Sequence, residues 1–219
     1  MPAKEIAVYG AGGFAREVAW LIESCNEPTK PYRVVCFVDD DESKQGTLLN
    51  GIPVVGLEEA RHVYPQANIV GGVGDPKIRL KLMEKARGTG FDFETIIHPR
   101  VERSNLVKIG MGTVICAGNI LTVNISLGEH VQINLDCTVG HDVIMGDFTT
   151  LAPGVHVSGW VHFGKRIYVG TGAVILNGSK ESPVLIGDDA IIGAGACVTK
   201  SVSAGITVVG VPARPLVRG

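Results

Sequence analysis

One histidine in this chain stands directly between a glycine and a carboxylate. His141 follows Gly140 and precedes Asp142. An unperturbed imidazole has a pKa of about 6.5, so it can take a proton from an amine or a hydroxyl near neutral pH. A neighbouring carboxylate can fix the tautomer of the ring and stabilise the imidazolium that forms. The pair therefore has the parts of a general base for acyl transfer, and a solvated surface pair is the alternative that these residues leave open.

The element that must hold this histidine is a six-residue repeat. Aliphatic residues, or Met or Phe, recur at every sixth position: Ile109, Ile115, Leu121, Leu127, Ile133, Val139, Met145, Leu151, Val157, Phe163, Val169 and Ile175, and again Ile186, Ile192 and Val198. A fixed period of this kind marks a solenoid, and a helix would need apolar residues three and four apart. The residue after each aliphatic is usually small, which suits a tight corner. We therefore predict a parallel β-helix with three hexads in each triangular coil.

The repeat predicts which residues lie near His141. Residues eighteen apart should stack at the ~4.8 Å spacing of neighbouring strands, so Gly159 lies one coil beyond His141. Its unhindered backbone N–H suits a tetrahedral oxyanion. Asn134 is placed near the preceding corner. We expect the irregular stretch 176–185 to form an external loop that offsets the repeat by five residues.

Three other histidines fall within the repeats. His130, His156 and His162 occupy positions that we expect to face outward, so each is interpreted as part of a solvated surface. Only His141 combines a following carboxylate with a glycine one coil away.

The first half of the chain has a different pattern, in which apolar strands alternate with helical segments. The predicted strands cover residues 5–10, 32–38, 51–56, 68–73 and 91–97. The predicted helices begin after the first strand and cover residues 57–63 and 76–87, the last with apolar residues Ile78, Leu80, Leu82 and Met83. This alternation predicts a small Rossmann-like parallel sheet covered by helices, of the nucleotide-binding type. We place the two domains at 1–98 and 99–219.

A glycine-rich turn follows the first strand. Gly10, Gly12, Gly13 and Phe14 belong to a stretch that matches G-x-G-x-x-A, a form of the dinucleotide fingerprint. Glycines let the backbone approach a phosphate, and the helix N-terminus offers free N–H groups. Asp39, at the end of the second strand, can accept hydrogen bonds from a ribose or a base. Because the domain is roughly half of a full dinucleotide fold, a mononucleotide or a nucleotide sugar fits better than NAD.

Composition excludes several classes of protein. The chain has 219 residues and a net charge of -2, which argues against a nucleic-acid binder. Five scattered cysteines show no paired metal spacing, so we expect reduced packing cysteines and no metal. No apolar run is long enough to span a membrane and no signal peptide is recognised, so a cytoplasmic location is expected.

These motifs together resemble a known family over nearly the whole chain. The hexads resemble those of left-handed β-helix acyltransferases. The glycine-turn domain ahead of them narrows the resemblance to bacterial sugar acetyltransferases, such as those of the bacillosamine and perosamine pathways. The stretches that carry the resemblance are 9–18, 134–148 and 210–213.

The resemblance implies a homotrimer, with active sites between subunits and acetyl-CoA in the cleft between neighbouring β-helices. It makes His141 the general base and Asp142 its partner. Asn134 would help to position the substrate, and the Gly159 N–H would meet the acetyl carbonyl.

The resemblance also implies the binding residues. The nucleotide would lie on the turn that contains Gly10, Gly12, Gly13 and Phe14, near Asp39 and a loop that contains Gly72 and Gly74. Bacillosamine-type members carry a second histidine nine residues after the base, in the contact with acetyl-CoA. This chain has Thr150 there, which argues mildly against that particular substrate. Lys165 and Arg166 are candidates for contacts to the CoA phosphates.

The expected reaction is acetyl transfer from acetyl-CoA to the 4-amino group of a nucleotide-linked 4-amino-deoxy sugar, by direct attack without an acyl-enzyme. One alternative is an O-acetyltransferase that acts on sialic acid or a related sugar hydroxyl. Others are an NAD-dependent oxidoreductase and a non-catalytic trimeric scaffold. The residues identify neither the sugar nor its nucleotide carrier, and they do not separate amine from hydroxyl acceptors.

Overall fold

The structure is a computed structural model that describes residues 2–26 and 31–216. Contacts between Cα atoms divide the chain into two compact units, Met1–Pro99 and Arg100–Gly219. Within the described ranges, no helix combines the length and the apolar character that a membrane span requires.

The first unit is an α/β domain built around one sheet. Its elements are β1 (Lys4–Tyr9), α1 (Gly13–Ser24), β2 (Tyr32–Val38), β3 (Leu48–Leu49), β4 (Ile52–Val55), α2 (Leu57–Val63), β5 (Asn68–Gly71), α3 (Pro76–Gly88) and β6 (Ile96–Ile97). The sheet has the order β3-β4-β2-β1-β5, in which β3 pairs antiparallel with β4 and the other pairs are parallel. The carboxyl ends of β1, β2 and β5 therefore share one edge, where ligands of such sheets bind.

Residues of the central strands are buried in continuous runs, as expected for a parallel sheet covered on both faces. The runs are Ile6–Tyr9 in β1 and Val35–Val38 in β2. Just after β5, Gly72 lets the chain pass close to α1, because a Cβ atom there would lie 2.8 Å from Val8 Cγ1 and 2.9 Å from Ala15 Cβ.

Helix α3 is present where the sequence predicts it, but its predicted apolar face is wrong in part. Ile78 is 51% exposed, whereas Arg79 is 1% exposed. The reason is that Arg79 Nη1 donates to the carbonyl oxygens of Val73 and Gly74, so the buried guanidinium has hydrogen-bond acceptors. The carboxylate of Asp75 caps the helix by accepting from two backbone N–H groups of its first turn.

The last predicted strand of this unit is also shorter than expected. Residues 91–97 contain the two-residue strand β6, and Phe93 forms a single parallel bridge with Ile69. The aromatic rings of this stretch pack instead under arginines: the guanidinium carbon of Arg87 lies 5.3 Å from the centre of the Phe93 ring.

The second unit is a left-handed parallel β-helix. Its strands are β7 (Glu102–Arg103), β8 (Lys108–Ile109), β9 (Val114–Ile115), β10 (Ile120–Leu121), β11 (Ser126–Leu127), β12 (Gln132–Ile133), β13 (Thr138–Val139), β14 (Ile144–Met145), β15 (Thr150–Leu151), β16 (His156–Val157), β17 (Val161–Phe163), β18 (Tyr168–Val169), β19 (Val174–Ile175), β20 (Val184–Ile186), β21 (Ile191–Ile192), β22 (Cys197–Val198), β23 (Thr207–Val209) and β24 (Arg214–Pro215). One face stacks β7-β10-β13-β16-β19-β22, and the next stacks β8-β11-β14-β17-β20. The third runs from β9 through β12, β15, β18 and β21 to β23, and β24 joins it antiparallel to β23.

The register of the coils confirms the period read from the sequence. Thr138 pairs with His156, eighteen residues further on, and Gln132 pairs with Thr150 at the same separation. The loop was predicted to extend to 185, but it ends at 183 because strand β20 begins at Val184. Across this loop the separation rises to twenty-three, as in the pair His162 and Leu185. The five-residue offset predicted for that loop is therefore confirmed.

Residues of the hexad series fill the interior of the coils: Ile115, Leu121, Ile133, Val139, Leu151, Val169, Ile175 and Ile192 are buried. The corners between faces use left-handed backbone at non-glycine positions, among them Asp142 (φ 58°) and Trp160 (φ 57°). The outward orientation predicted for His130 is wrong. This residue also lies on a left-handed corner, and its ring is buried and stacked on Phe148 with 4.8 Å between ring centres.

Candidate functional site

His141 and Asp142 lie on the corner that follows strand β13. The backbone of the pair is held by the coils on both sides. Asp142 N–H donates to Val123 O at 3.1 Å, and His141 O accepts the N–H of Trp160 at 3.0 Å. These two bonds fix the position from which both side chains project.

The two side chains form a hydrogen bond with a defined direction. His141 Nδ1 lies 2.8 Å from Asp142 Oδ2. Because an ionised carboxylate only accepts hydrogen bonds, Nδ1 is the donor in this contact, and in the neutral imidazole Nε2 then keeps its lone pair. The His141 side chain is 54% exposed, so a substrate can reach the ring. The geometry thus presents Nε2 as the atom that can take a proton.

Gly159 lies against this nitrogen, as the eighteen-residue spacing predicts. A Cβ atom on Gly159 would lie 2.6 Å from both Nε2 and Cε1 of His141. Its carbonyl oxygen accepts from Gly178 N at 3.1 Å, but its own N–H meets no acceptor in the part of the chain that the structure describes. A proton acceptor and an available backbone donor are therefore adjacent, and the role of this N–H in binding an oxyanion stays a prediction.

Two residues that sequence reasoning missed flank the dyad. Asn124 Nδ2 donates to Asp142 Oδ1 at 3.2 Å, and the indole of Trp160 lies edge-on to the His141 ring, with 6.5 Å between ring centres. Both stand eighteen residues from Asp142, one on each side. The spacing that places Gly159 beside His141 would also have identified them.

Asn134 has a structural contact of its own. Its side chain is buried, and Nδ2 donates to Leu151 O at 2.8 Å. The Asn134 carbonyl accepts in turn from Asn119 Nδ2 at 2.8 Å. The amide nitrogen is thus part of the hydrogen bonding between coils, and a contact of Asn134 with substrate stays a prediction.

The assignment of Thr150 to the acetyl-CoA contacts is not supported by the geometry. Thr150 begins strand β15 and is 1% exposed. A side chain buried to this extent presents no surface to a coenzyme, so the structure does not support the predicted contact of Thr150 with acetyl-CoA.

Lys165 and Arg166, the candidates for the CoA phosphates, are both paired with carboxylates. Lys165 Nζ lies 2.8 Å from Asp147 Oδ2, and Arg166 makes two hydrogen bonds to Asp189, of 3.0 and 2.7 Å. Asp147 has a lowered pKa: burial raises it, but the hydrogen bonds from Lys165 and from the Glu129 N–H outweigh burial. Lys165 is 56% exposed and is the more accessible of the two cations.

The glycine turn of the first unit meets the loop after β5, as expected. Gly10 has φ 124°, and a Cβ atom there would lie 3.0 Å from Gly72 O, so glycine is required. Gly12 precedes α1 without a side-chain cap, and a Cβ atom on either Gly12 or Gly74 would have no heavy atom within 4 Å. The uncapped helix end therefore faces open space that a phosphate can occupy.

A cleft of about 420 Å³ opens beside this turn. Its lining residues are Tyr9, Gly10, Val38, Asp39, Asp40, Asp41, Val73, Ile78 and Leu82. Gly13 and Phe14 begin helix α1 and are not among these lining residues. Apolar walls with a few polar groups are typical of sites for small-molecule ligands.

Asp39 is already engaged in holding the turn. Its Oδ2 accepts from Ala11 N at 3.0 Å and from Lys44 Nζ at 3.1 Å, and Oδ1 accepts from Asp41 N at 3.0 Å. The carboxylate assigned to a ribose or a base therefore fixes the glycine turn, and its contact with a ligand stays a prediction.

A hydrogen-bonded group that the sequence did not suggest lies at the rim of the cleft. Tyr9 Oη donates to Asp40 Oδ1 at 2.7 Å, and Lys85 pairs with the other oxygen of Asp40. Burial and the contact with Asp40 raise the pKa of Tyr9, so the phenol stays protonated. For Asp40, burial raises the pKa, but hydrogen bonds from Lys85 and Tyr9 lower it below its ordinary value.

Neither a metal cluster nor a reactive thiol stands at the dyad. Among the described residues, no group of three or more His, Cys, Asp or Glu side chains could hold a metal ion. Cys137, four positions before His141, is buried, and burial raises the pKa of its thiol to about 11. That thiol is protonated at neutral pH and is a poor nucleophile.

Comparisons with known proteins give matches along the whole chain. Residues 5–86 match the family model of the PglD N-terminal domain. The chain is 35% identical to the GDP-perosamine N-acetyltransferase of Escherichia coli O157:H7 over 216 residues, which is 96% of each protein.

Two solved structures match at similar coverage. A mutant of perosamine N-acetyltransferase from Caulobacter crescentus, in complex with CoA and GDP-perosamine, is 30% identical with a TM-score of 0.87 and covers 98% of this chain and 97% of that one. The acetyltransferase domain of PglB from Neisseria gonorrhoeae FA1090, in complex with acetyl coenzyme A, is 32% identical with a TM-score of 0.84 and covers 98% and 100%.

Proposed function

The chain belongs to the nucleotide-sugar N-acetyltransferases with a left-handed β-helix, and from this premise we propose that it acetylates the 4-amino group of a nucleotide-linked 4-amino-deoxy sugar, with acetyl-CoA as donor. The observation that carries the proposal is the position of His141 directly beside Gly159, where an added Cβ atom would lie 2.6 Å from Nε2. This arrangement places Nε2 of His141, a base nitrogen oriented by Asp142, next to the available N–H donor of Gly159. The base can take the proton that the attacking amine loses, and the N–H can stabilise the negative charge that develops on the carbonyl oxygen.

The reaction follows from this geometry. The sugar nitrogen attacks the thioester carbonyl carbon while His141 Nε2 takes its proton, and Asp142 stabilises the imidazolium. The carbonyl oxygen becomes an oxyanion and accepts from the Gly159 N–H. The C–S bond then breaks, and the imidazolium returns its proton to the CoA sulfur. An amide and a free thiol result, and His141 is neutral again.

Transfer occurs directly from CoA to the sugar. An acyl-enzyme would need a nucleophile beside His141, and the thiol of Cys137 is buried and protonated. The mechanism therefore needs no covalent intermediate.

The nucleotide is proposed to bind on the first unit. The uncapped start of α1 after Gly12 offers N–H groups to the phosphates. The adjacent cleft, with Val38 and Val73 on its walls, would hold the base. The E. coli relative is named for GDP-perosamine, and the C. crescentus protein binds it, so a GDP-linked 4-amino sugar is the first acceptor to test.

The proposal includes a homotrimer with active sites between subunits. Its support is that the outward rows of the β-helix carry exposed aliphatic side chains, among them Ile120, Ile144, Leu185 and Ile191. Such residues are typical of surfaces that pack against another subunit.

The test is release of CoA thiol from acetyl-CoA with GDP-, UDP- and dTDP-linked 4-amino sugars, with sialic acid as a hydroxyl acceptor. We expect release with an amino sugar and a loss of roughly 10²–10⁴-fold in kcat for His141→Asn. His62→Asn, on the exposed side of α2, is the matched control and should keep the wild-type rate.

Other results of this test would contradict particular parts of the proposal. Release with sialic acid alone would move the chain to O-acetylation. Near-wild-type kcat in His141→Asn would contradict the assignment of the base, and silence with every acceptor would contradict the proposed substrate class.

A further inference from the structure

Asn124, Asp142 and Trp160 form a column at the corner that carries His141. They occupy the same position in three successive coils and share left-handed backbone, with φ of 57°, 58° and 57°. Asparagine is tolerated in this conformation better than most residues, so backbone geometry alone would explain its presence at 124. The contact made by its side chain requires a further explanation.

The two oxygens of Asp142 have separate partners. Oδ1 accepts from Asn124 Nδ2 at 3.2 Å, and Oδ2 lies 2.8 Å from His141 Nδ1. With Oδ1 engaged from the coil below, the plane of the carboxylate is restrained and Oδ2 stays directed at the imidazole. In the coil above, the Trp160 indole lies edge-on to the imidazole of His141, at an interplanar angle of 83°. Asn124, in the coil below, therefore acts on the imidazole only through Asp142.

We propose that Asn124 is a positioning residue for acetyl transfer, which acts through Asp142 to hold His141 in the tautomer that has hydrogen on Nδ1. This inference rests on the proposed function, because it matters to catalysis only if Nε2 is the base. The Nδ1–H tautomer leaves the Nε2 lone pair facing Gly159, where a Cβ atom would be only 2.6 Å away. Loss of the Asn124 amide frees the carboxylate to rotate and weakens this tautomer.

Two variants separate the amide from the backbone conformation. Asn124→Gly keeps the left-handed backbone without strain and removes the amide. Asn124→Asp keeps the size of the side chain but replaces the donor with a second carboxylate beside Asp142. Asn50→Gly is the matched control, because Asn50 has the same backbone conformation (φ 51°) in the turn between β3 and β4.

The measurement is the ¹⁵N chemical shift of the two ring nitrogens of His141 at a pH where the imidazole is neutral, in the full-length protein labelled at histidine. His141→Asn identifies the signals. We expect the wild type and Asn50→Gly to show mainly the Nδ1–H tautomer, and both Asn124 variants to show a larger Nε2–H fraction. The same variants should lose about 3- to 10-fold in kcat, as for one hydrogen bond, with little change in KM.

The outcomes separate this inference from the proposed function. Wild-type ring shifts in Asn124→Gly would overturn the positioning role, whatever the activity. A changed tautomer with unchanged kcat would instead contradict His141 as the base. Loss of activity with wild-type ring shifts would show that position 124 acts by another route, and this result also overturns the proposal.

Discussion

The imidazole of His141 keeps its place because residue 159 has no side chain. The two residues face each other across neighbouring coils, and the space that a Cβ atom on Gly159 would need is taken by Nε2 and Cε1 of the ring. The backbone of Gly159 does not have a positive φ, so glycine is required here for space and not for conformation.

We predict that Gly159→Ala strongly reduces turnover. A methyl group 2.6 Å from Nε2 forces the ring to move, and a displacement of about 1 Å can cost 10²-fold in rate. We expect a loss in kcat of about that size, with folding unchanged by circular dichroism. Gly88→Ala, where nothing lies within 4 Å of the new methyl group, is the control. Wild-type kcat in Gly159→Ala would show that the ring is not used where the structure places it.

The sequence predicts part of this site and misses the rest for a physical reason. The eighteen-residue spacing relates residues on successive coils, so it correctly places Gly159 beside His141. The same spacing, applied to Asp142, identifies Asn124 and Trp160 as its neighbours. It does not report burial: His130, predicted to face outward, and Thr150, predicted to contact acetyl-CoA, are both buried. Burial of an outward position depends on the chain segments around it, which the repeat does not encode.

The coils are linked to one another by side chains as well as by strands, and Asp147 is the clearest example. Its Oδ1 accepts from the N–H of Glu129 in the coil below, and its Oδ2 pairs with Lys165 in the coil above. Three successive coils therefore share one carboxylate, and the linkage depends on the charge of that carboxylate.

The linkage of three coils through the Asp147 carboxylate predicts that the stability of the fold depends on pH. Asp147 has a pKa below its ordinary 3.8 in the fold, so its contribution is present above about pH 3.8 and is lost as the pH falls through the lower folded value. We expect urea midpoints of Asp147→Asn to lie below the wild type near pH 6 and to approach it near pH 3. Glu102→Gln, an exposed carboxylate of β7, should show no such convergence. A difference that stays constant with pH would contradict the role of charge.

Elements were predicted well where a period determines them. Strand β2 has the predicted bounds, and α3 covers the predicted residues. The face of α3 was wrong because a buried arginine contradicts the usual pattern. Arg79 is satisfied by carbonyl oxygens of Val73 and Gly74, and this partnership depends on a loop conformation that no periodicity reveals.

In a single chain, the surface of the β-helix has exposed aliphatic side chains. Ile144 is 47% exposed in the row of β14, and Leu185 is 51% exposed in the row of β20 on the same face. Burial of such residues in an assembly is favourable by about 25 cal/mol per Å² of apolar surface.

We therefore predict that sedimentation equilibrium gives three times the 23.1 kDa of one chain. Ile144→Glu should shift the distribution toward monomer and reduce turnover with it, because the proposed active sites lie between subunits. Lys108→Glu, a charge change in the same row, is the control for altered surface charge. An active monomer would contradict the assembly.

The sequence distinguishes two halves because strands alternate with helices in the first and a six-residue repeat fills the second, and the structure likewise has compact units at Met1–Pro99 and Arg100–Gly219. The acceptor sugar could not be predicted, because the cleft beside Gly10, where we propose that the nucleotide binds, is shaped by loops. In such loops the backbone path, and not the residue type, decides which groups converge. Asp39 illustrates this point: the sequence identified it as a ligand contact, and the structure shows that it first holds Ala11.

The loop at 176–183 leaves and rejoins the coils at the corner of the site. Gly178 N donates to Gly159 O, and Val184 N donates to Trp160 O, so both ends are tied to adjacent residues of one coil. Because its ends are joined this way, we expect that the loop can be lengthened, shortened or exchanged without a shift of the neighbouring strands. Variation in this loop would therefore change the surroundings of His141, the proposed base, and leave the six-residue repeat unchanged.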